Sequence, residues 1–264
     1  MGGIFIKSRL SASPPLRTLR ETARLTSLRN AGNVKSMIVF VAGMPRSGST
    51  FTFNIVRSLL DRRGTLHQIP VESILSALEQ SDGADHVVFK GHGADEITRK
   101  LVKLGSIKSI CSIRKPEDAI ASWMTTFSFS IEESISAIEQ WILMYQSLRE
   151  HLLVIPFDSI NNDPFAVARR IAEFILTDSS PEEAEEVCHM FTKEKVQEIS
   201  RRVANREGTI QDIGFSYYDQ ETFFHRRHVT SLEETKADSR ITIDQISLIR
   251  CKLSAYCDEF GNLR

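Results

Sequence analysis

The segment GMPRSGST at residues 43–50 most constrains what this chain can fold into. It follows the apolar run at residues 38–42 and precedes apolar residues at helical spacing, a pattern typical of a buried strand, a phosphate-binding loop and a helix. Gly43 and Gly48 stand in the register of the phosphate loop of nucleotide hydrolases. Serine follows Gly48 where that loop has lysine, and Arg46 is the only cation of the segment. The segment therefore predicts a site for a phosphate compound and leaves open which compound it binds.

Short apolar runs alternate with helical patterns along the rest of the chain. Further strands are predicted at residues 86–90, 107–113 and 152–157, and a long amphipathic helix at residues 131–149. Strands that alternate with helices indicate a parallel sheet covered on both faces. We therefore predict an α/β fold, a three-layer αβα arrangement with a central parallel sheet, in a single domain over residues 37–264.

The C-terminal half has a mixed pattern. Residues 182–200 are predicted to be helical, and a capping box that begins at Thr242 predicts a last helix ending near Gly261. Residues 201–236 have no clean period, hold several aromatic residues and include a basic pair between two histidines at residues 225–228. Long irregular segments of this kind are often binding loops.

Residues 1–36 differ in composition from the rest of the chain. They hold seven Lys or Arg residues and one acidic residue, whereas residues 37–264 hold 26 basic and 33 acidic residues. This leader suits a transit-type presequence or a disordered arm, and we expect an N-terminal extension packed loosely on the domain. The whole chain has a formal net charge of -1, no apolar stretch long enough to span a bilayer, and four cysteines without a paired spacing. We therefore expect a cytoplasmic protein with no nucleic-acid partner, and organellar targeting by the leader is the alternative.

Three cations follow three successive predicted strands. Arg46 lies in the loop after the first strand, Lys90 ends the second, and Arg114 follows the third. The carboxyl ends of parallel strands meet at one edge of a sheet, where open α/β sheets bind their ligands. A glycine loop at a helix N-terminus also presents backbone N–H groups to anions. The sequence therefore predicts a polyanion site at this edge.

Several motifs resemble those of one family, the sulfotransferases that use PAPS (3′-phosphoadenosine 5′-phosphosulfate). GMPRSGSTF resembles their 5′-phosphosulfate loop. SIRKPEDAIASW resembles their 3′-phosphate motif, an arginine followed eight residues later by a serine, here Arg114 and Ser122. FKGHG resembles their Lys-x-His motif, LLVIPFDSINNDPFAVARRIAEFI the strand, turn and helix that follow, and FHRRHVTS a late Arg-Lys-Gly loop over the nucleotide. The resemblance extends over residues 37–235.

The resemblance implies a role for each matching residue in an in-line transfer of the sulfuryl group to an acceptor hydroxyl or amine. Arg46 would bind the 5′-phosphate, Lys90 would assist at the bridging oxygen, and His92 would take the proton of the acceptor as general base. Glu72 is the alternative base, because some branches of the family use a glutamate. The donor contacts would come from Arg46, Ser47, Gly48, Ser49, Thr50 and Phe51 in the loop, and from Arg114, Ser122, Arg226 and Arg227 around the 3′-phosphate.

PAPS is the only cofactor that the resemblance implies, as a co-substrate, and no metal is expected. One alternative is a P-loop kinase or nucleotide hydrolase that uses ATP and Mg²⁺, although its loop lysine is missing and Asp158 is the only obvious metal ligand. Another is a non-catalytic nucleotide-binding protein of the same fold, and a third, weaker one is nucleic-acid binding through the leader. The sequence has no signature that separates a small-molecule, glycan or lipid acceptor or that indicates the oligomeric state, because specificity in such folds lies in variable loops.

Overall fold

One sheet of five strands, all parallel, forms the centre of the protein. The strands are β1 Met37–Val41, β2 Leu66–Ile69, β3 His86–Lys90, β4 Lys108–Ile113 and β5 Leu153–Pro156. Their order across the sheet is β2-β3-β1-β4-β5. Because β1 is central, the loop that follows it lies at the middle of the carboxyl edge of the sheet, between the ends of β3 and β4.

The structure is a computed structural model that describes residues 36–176, 178–214, 216–226, 237 and 240–256. The predictions for residues 1–35, for Arg227 and for Gly261 fall outside these ranges. Within them, no helix is both long and apolar enough to cross a membrane.

Helices cover both faces of the sheet, which confirms the predicted three-layer α/β arrangement. Val39 and Val41 of β1 pack into one core, and Phe40 between them packs into the other. Because both faces of β1 are buried, its sequence is continuously apolar instead of alternating. The helices are α1 Ser49–Asp61, α2 Ile74–Glu79, α3 Glu96–Lys103, α4 Pro116–Phe127, α5 Ile131–Leu148, α6 Phe157–Asn162, α7 Pro164–Ile175, α8 Pro181–His189, α9 Lys193–Ala204 and α10 Ile243–Lys252, with 3₁₀ turns at Arg149–His151 and Ser254–Tyr256.

Each face of the sheet has its own set of helices. The first core is built with α1, α7, α8 and α9, and the second with α2 to α5 and α10. In the second core α5 buries Trp141, whose indole N–H donates to the carbonyl oxygen of Ala42 at 3.1 Å. This bond ties the longest helix to the residue before the glycine loop, so the loop starts from a fixed point.

Two elements in the first core differ from the predictions. β2 has the sequence LHQI and is half-buried at the edge of the sheet, and it was not predicted because it is too short and too polar to stand out. The helix predicted over residues 182–200 is two helices, α8 and α9. They are separated at residues 190–192, where Phe191 packs into the first core.

The described part of the segment at residues 201–236, which is residues 201–214 and 216–226, is more regular than predicted. It begins with the end of α9 and continues into an antiparallel hairpin of β6 Ile210–Asp212 and β7 Tyr217–Asp219. Strands of three residues are too short to give a readable period, so the hairpin is not visible in the sequence pattern.

The last helix has the predicted start and a different end. Thr242 and Gln245 form the capping box, with the N–H of each accepted by the side chain of the other. The helix ends at Lys252, well before Gly261, so the predicted end is wrong. Leu253, the residue after the helix, is fully buried in the second core, and a 3₁₀ turn follows it at once.

Candidate active site

The glycine loop turns sharply between β1 and α1. Gly43 has no room for a side chain, because a Cβ atom there would overlap the side chain of Ser49 and lie 2.5 Å from Ser112 Oγ. Gly48 has a φ of 83°, in the left-handed region that favours glycine, and it directly precedes α1. Arg46 also has a positive φ, 63°. A positive φ is uncommon in residues other than glycine, and residues with such strained backbone are concentrated at functional sites. This tight turn into a helix N-terminus is the geometry that binds phosphate groups.

Ser47 holds the loop from beneath. Its side chain is fully buried, and its Oγ lies 2.6 Å from the carbonyl oxygen of Met44 and 2.7 Å from Ser112 Oγ. These contacts join the loop to β4, so the hydroxyl of Ser47 faces the protein interior. Ser49 and Thr50, at the start of α1, instead line the cavity beside the loop.

Arg46 joins the loop to the residues that follow β4. Its Nε donates to Ser122 Oγ at 3.0 Å, and Arg114 Nη1 donates to the carbonyl oxygen of Arg46 at 3.1 Å. The guanidinium of Arg114 also lies over the ring of Phe157, 4.2 Å from its centroid. The structure thus brings Arg46, Arg114 and Ser122, which come from two separate motifs, into direct contact.

The arginines of this cluster lie close enough to repel one another. Burial, followed by the charges of Arg114 and Arg240, lowers the pKa of Arg46 to about 10. Burial also lowers the pKa of Arg114 to about 10, opposed by Asp118 and reinforced by Arg240. Arg240, whose Nη1 donates to Thr125 Oγ1 at 2.8 Å, is not among the predicted site residues, because it follows a segment without a readable pattern. A bound anion would relieve this repulsion.

Lys90 ends β3 on the other side of the loop. Its side chain is half-buried, and burial together with the charge of Arg46 lowers its pKa to about 8. At neutral pH the ammonium is still mostly protonated. Lys90 therefore adds a second positive charge to the cavity beside that of Arg46.

His92 lies two residues after β3, against the glycine loop. Its Nδ1 is 2.7 Å from the carbonyl oxygen of Gly43. Because a carbonyl oxygen only accepts, Nδ1 carries the proton of the neutral ring and Nε2 has the free lone pair. Burial, with the charge of Lys90 next, lowers the pKa of His92 to about 3, against the raising effect of the bond to Gly43. The ring is therefore neutral at physiological pH, with one nitrogen available as a base.

Glu72 supports the loop that carries His92. Its Oε1 accepts the backbone N–H of His92 at 3.2 Å. A Cβ atom at Gly91 would lie 2.8 Å from Glu72 Cγ, and one at Gly93 would lie 2.6 Å from Glu72 Oε2. The two glycines therefore leave room for the glutamate beside the backbone of His92. Glu72 contacts the histidine loop, and it is not one of the described residues that line the cavity.

The cavity beside the loop has a volume of about 210 Å³. It is lined by the glycine loop and the start of α1, by the polar side chains of Lys90 and His92, and by several apolar and aromatic side chains. The lining residues are Pro45, Arg46, Gly48, Ser49, Thr50, Lys90, His92, Trp123, Phe127, Ile213 and His225.

Besides Ser47, Arg114 and Ser122, two predicted donor contacts, Phe51 and Arg226, do not line the cavity. Phe51 is 8% exposed and packs into the first core, and Arg226 is exposed over the ring of Tyr217, 5.3 Å from its centroid. Arg227 falls outside the described residues. His225 lines the cavity although it is not among the predicted site residues, and its only signal in the sequence is its place beside the basic pair. Among the described residues, no three His, Cys, Asp or Glu side chains are grouped to hold a metal ion.

Comparisons with known proteins match the family suggested by the motifs. Residues 37–235 match the model of the sulfotransferase domain. A search of curated proteins finds no significant match. The fold is similar to that of mouse sulfotransferase SULT7A1 complexed with PAP, with a TM-score of 0.58 and 15% sequence identity over 88% of this chain and 87% of that one.

Retinol dehydratase has a similar fold in two solved complexes. In the complex with retinol and PAP the TM-score is 0.55, and in the complex with androsterone and the inactive cofactor PAP it is 0.56. Both have 15% sequence identity over 90% of this chain and 87% of that one. At these identities the structures show a shared fold.

Proposed function

The chain belongs to the sulfotransferase family, and from this premise we propose that it transfers the sulfuryl group of PAPS to a hydroxyl or amine of a small acceptor, with His92 as general base. PAP, the nucleotide in the similar structures, is the product that PAPS leaves after transfer. The observation that carries the proposal is the convergence of Arg46, Lys90 and His92 on one cavity beside the glycine loop.

The cationic side of the cavity suits a phosphosulfate donor. When bound, the donor supplies a sulfuryl group activated by its link to a phosphate. The amides at the start of α1 and the charges of Arg46 and Lys90 are arranged to stabilise negative charge on the leaving phosphate. Arg114 and Ser122 contact Arg46 from behind and, with Arg240 nearby, form the cluster that we assign to the 3′-phosphate, with Arg226 and Arg227 as further contacts.

The position of His92 supports its role as the base. The Gly43 carbonyl holds the Nδ1 proton, so Nε2 can take a proton from the acceptor, and the same carbonyl then stabilises the imidazolium. A pKa of about 3 is low for a base, but charges of Lys90, His225 and Arg46 contribute to that value after burial. A bound anion offsets those charges, so we expect the pKa of His92 to rise towards neutrality when the donor is in place.

Residues 37–264 are proposed to form the whole catalytic domain in the cytoplasm, preceded by a separate basic extension. A deletion of residues 1–36 tests this division. It should leave the binding of 3′,5′-diphosphoadenosine unchanged, whereas a loss of binding would make the extension part of the domain.

Calorimetric titration with 3′,5′-diphosphoadenosine in EDTA, beside a titration with ATP and Mg²⁺, tests the donor site. We expect micromolar or tighter binding of the first nucleotide and a loss of about tenfold or more in Arg114→Ala, because a charged hydrogen bond contributes about 1.5–3 kcal/mol. Arg62→Ala is the matched control. Arg62 directly follows α1, at the end of the helix away from the glycine loop, where it is exposed and forms an ion pair with Glu186. Binding of ATP and Mg²⁺ alone would favour the kinase alternative instead.

Turnover separates an enzyme from a non-catalytic nucleotide-binding protein of the same fold. We expect the protein to release 3′,5′-diphosphoadenosine from PAPS in the presence of an acceptor mixture of phenols, alcohols and amines. Nucleotide binding without any acceptor-dependent release would support the non-catalytic alternative.

A further inference from the structure

The C-terminal segment at residues 240–253 packs against helix α4. Its residues Ile249 and Leu253 are fully buried in the second core, to which α4 also contributes. Arg250 Nη2 lies 3.5 Å from Oε1 of Glu117, a buried residue in the first turn of α4. The segment is therefore held against α4 by apolar packing and by an ion pair.

The same helix presents three polar side chains on one face. Asp118, Ser122 and Thr125 are spaced by four and three residues, so they lie on one side of α4. Ser122, in the middle, belongs to the cluster that we assign to the 3′-phosphate. Asp118 Oδ1 accepts the backbone N–H of Ala237 at 2.7 Å. Thr125 Oγ1 accepts a hydrogen bond from Arg240 Nη1 at 2.8 Å, so the chain is bonded to α4 one turn before and one turn after Ser122.

Arg240 lies close to the cations of that cluster. Burial is the largest cause of the lowered pKa of Arg46 and of Arg114, and the charge of Arg240 contributes to both. Like charges repel, and this repulsion opposes the packing of Arg240 on α4. An anion bound at the cluster offsets the repulsion, because each guanidinium then has a negative group to which it donates. The charge at the cluster is therefore linked to the packing of the C-terminal segment.

We propose that Arg240 makes the C-terminal segment part of the donor site, so that a nucleotide with a 3′-phosphate strengthens the packing of residues 240–253 on α4. This inference rests on the proposed function, in which the cluster binds the 3′-phosphate. A nucleotide without that phosphate leaves the repulsion in place and has no such effect. The coupling is reciprocal, so the packed segment raises the affinity for the 3′-phosphate nucleotide by the same factor. Arg240 lies beyond residues 37–235, which match the sulfotransferase model.

Hydrogen exchange of the backbone N–H groups in residues 240–253 of the full-length chain tests the effect of the nucleotide. The probes are 3′,5′-diphosphoadenosine and adenosine 5′-monophosphate, which differ only in the 3′-phosphate, each at a saturating concentration. We expect the diphosphate to slow exchange in this segment by about fivefold or more relative to the monophosphate. Exchange in α8, which packs on the other face of the sheet, is the internal reference. Arg240→Ala should remove the difference between the probes, and Lys252→Ala, an exposed change in the same segment, should keep it.

Calorimetry tests the reciprocal effect on affinity. Arg240→Ala should lower the affinity for 3′,5′-diphosphoadenosine by about tenfold or more and that for adenosine 5′-monophosphate by under about twofold, because only the first loses a charged hydrogen bond. Leu253→Ala loosens the packed segment at a distance from the cluster and should lower the affinity for the diphosphate more than that for the monophosphate. If Leu253→Ala does not fold, Arg250→Ala, which removes the ion pair with Glu117, makes the same comparison.

Three results would overturn the inference. The first is equal exchange in residues 240–253 with the two nucleotides. The second is an unchanged affinity for 3′,5′-diphosphoadenosine in Arg240→Ala. The third is an equal loss of affinity for both nucleotides in this variant, which would mean that Arg240 contacts the part that they share. All three leave the proposed function standing if the wild-type protein binds 3′,5′-diphosphoadenosine, whereas absence of that binding would remove the proposed function itself.

Discussion

The two sides of the cavity are assembled in different ways. On the side that we assign to the donor, the glycine loop, Lys90 and Arg114 each lie at the carboxyl end of a strand of the central sheet. On the other side of the cavity, the end of α4 meets a segment about 100 residues further along the chain, as in the contact of Phe127 with His225. Short motifs therefore determine the proposed donor side, and long-range packing determines the other side of the cavity. Changes on the donor side should impair the reaction with every acceptor, and changes on the other side should alter the choice among acceptors.

The largest effect is expected at His92, where the two sides meet. His92→Ala should lower kcat by about 10²–10⁴-fold for all acceptors, because the general base is lost. The affinity for 3′,5′-diphosphoadenosine, measured by calorimetry, should stay close to that of the wild type. His151→Ala, a change of an exposed histidine in a 3₁₀ turn, is the control. An unchanged kcat in His92→Ala would mean that another residue is the general base.

A substitution of Asn54 tests whether the segment at residues 220–226 depends on its hydrogen bond to α1. Asn54→Ala leaves the buried carbonyl oxygen of Thr222 without this donor and should lower the free energy of unfolding by about 1–3 kcal/mol. It should also raise KM for the acceptor more than the Kd for 3′,5′-diphosphoadenosine. Thermal unfolding and steady-state kinetics measure the two effects.

The control for this change is an exposed hydrogen bond, in which Gln68 Nε2 donates to the carbonyl oxygen of Glu221. Gln68→Ala should lower the free energy of unfolding by under about 1 kcal/mol, because water replaces an exposed partner. Equal losses in Asn54→Ala and Gln68→Ala would contradict the anchoring role of Asn54.

Two substitutions of Glu72 distinguish a residue that supports the loop carrying His92 from one whose negative charge takes part in catalysis. Glu72→Ala removes the acceptor for the N–H of His92 and should lower kcat by about tenfold, the effect of one hydrogen bond. Glu72→Gln keeps an acceptor oxygen and should retain most of the activity. A loss in Glu72→Gln as large as that in Glu72→Ala would show that the carboxylate charge is needed, as for a base.

The smallest expected effect is the dependence of kcat/KM on pH, which we assign to Lys90. Because kcat/KM for PAPS reports groups of the enzyme without bound donor, it should fall as the pH rises through the pKa of Lys90, about 8, where the ammonium loses its charge. On the acid side it should hold down to well below pH 6.5, since the pKa of His92 is lowered to about 3. Lys90→Arg should move the alkaline limb upwards, and an unmoved limb would assign it to another group.

Much of the fold and part of the site were accessible from the sequence. The parallel α/β sandwich follows from continuous apolar runs that alternate with helical patterns, and the structure confirms it. The sequence predicted that Arg46, Lys90 and Arg114 lie together because the end of a parallel strand is marked in the sequence and the topology brings these ends together. The roles of His92 and Ser122 were predicted from the family resemblance. The short strands β2, β6 and β7 were missed because three or four residues cannot show a period.

His225 and Arg240 show why the rest of the site could not be predicted. Both follow stretches without a readable pattern, and each contacts the site through a residue distant in the chain: Phe127 for His225, and Thr125 for Arg240. The inward position of Ser47 likewise depends on Ser112 of β4.

By itself, the sequence determined that this chain forms a parallel α/β sheet with a phosphate-binding loop and three cations at its carboxyl edge, because period, glycine position and strand-end chemistry are local properties. Only the tertiary structure decided which hydroxyls face the cavity, which nitrogen of His92 has the free lone pair, and which apolar and aromatic side chains line the cavity. These features depend on close packing between elements far apart in the chain, where the position of a side chain is set by its neighbours in space and not by its neighbours in sequence.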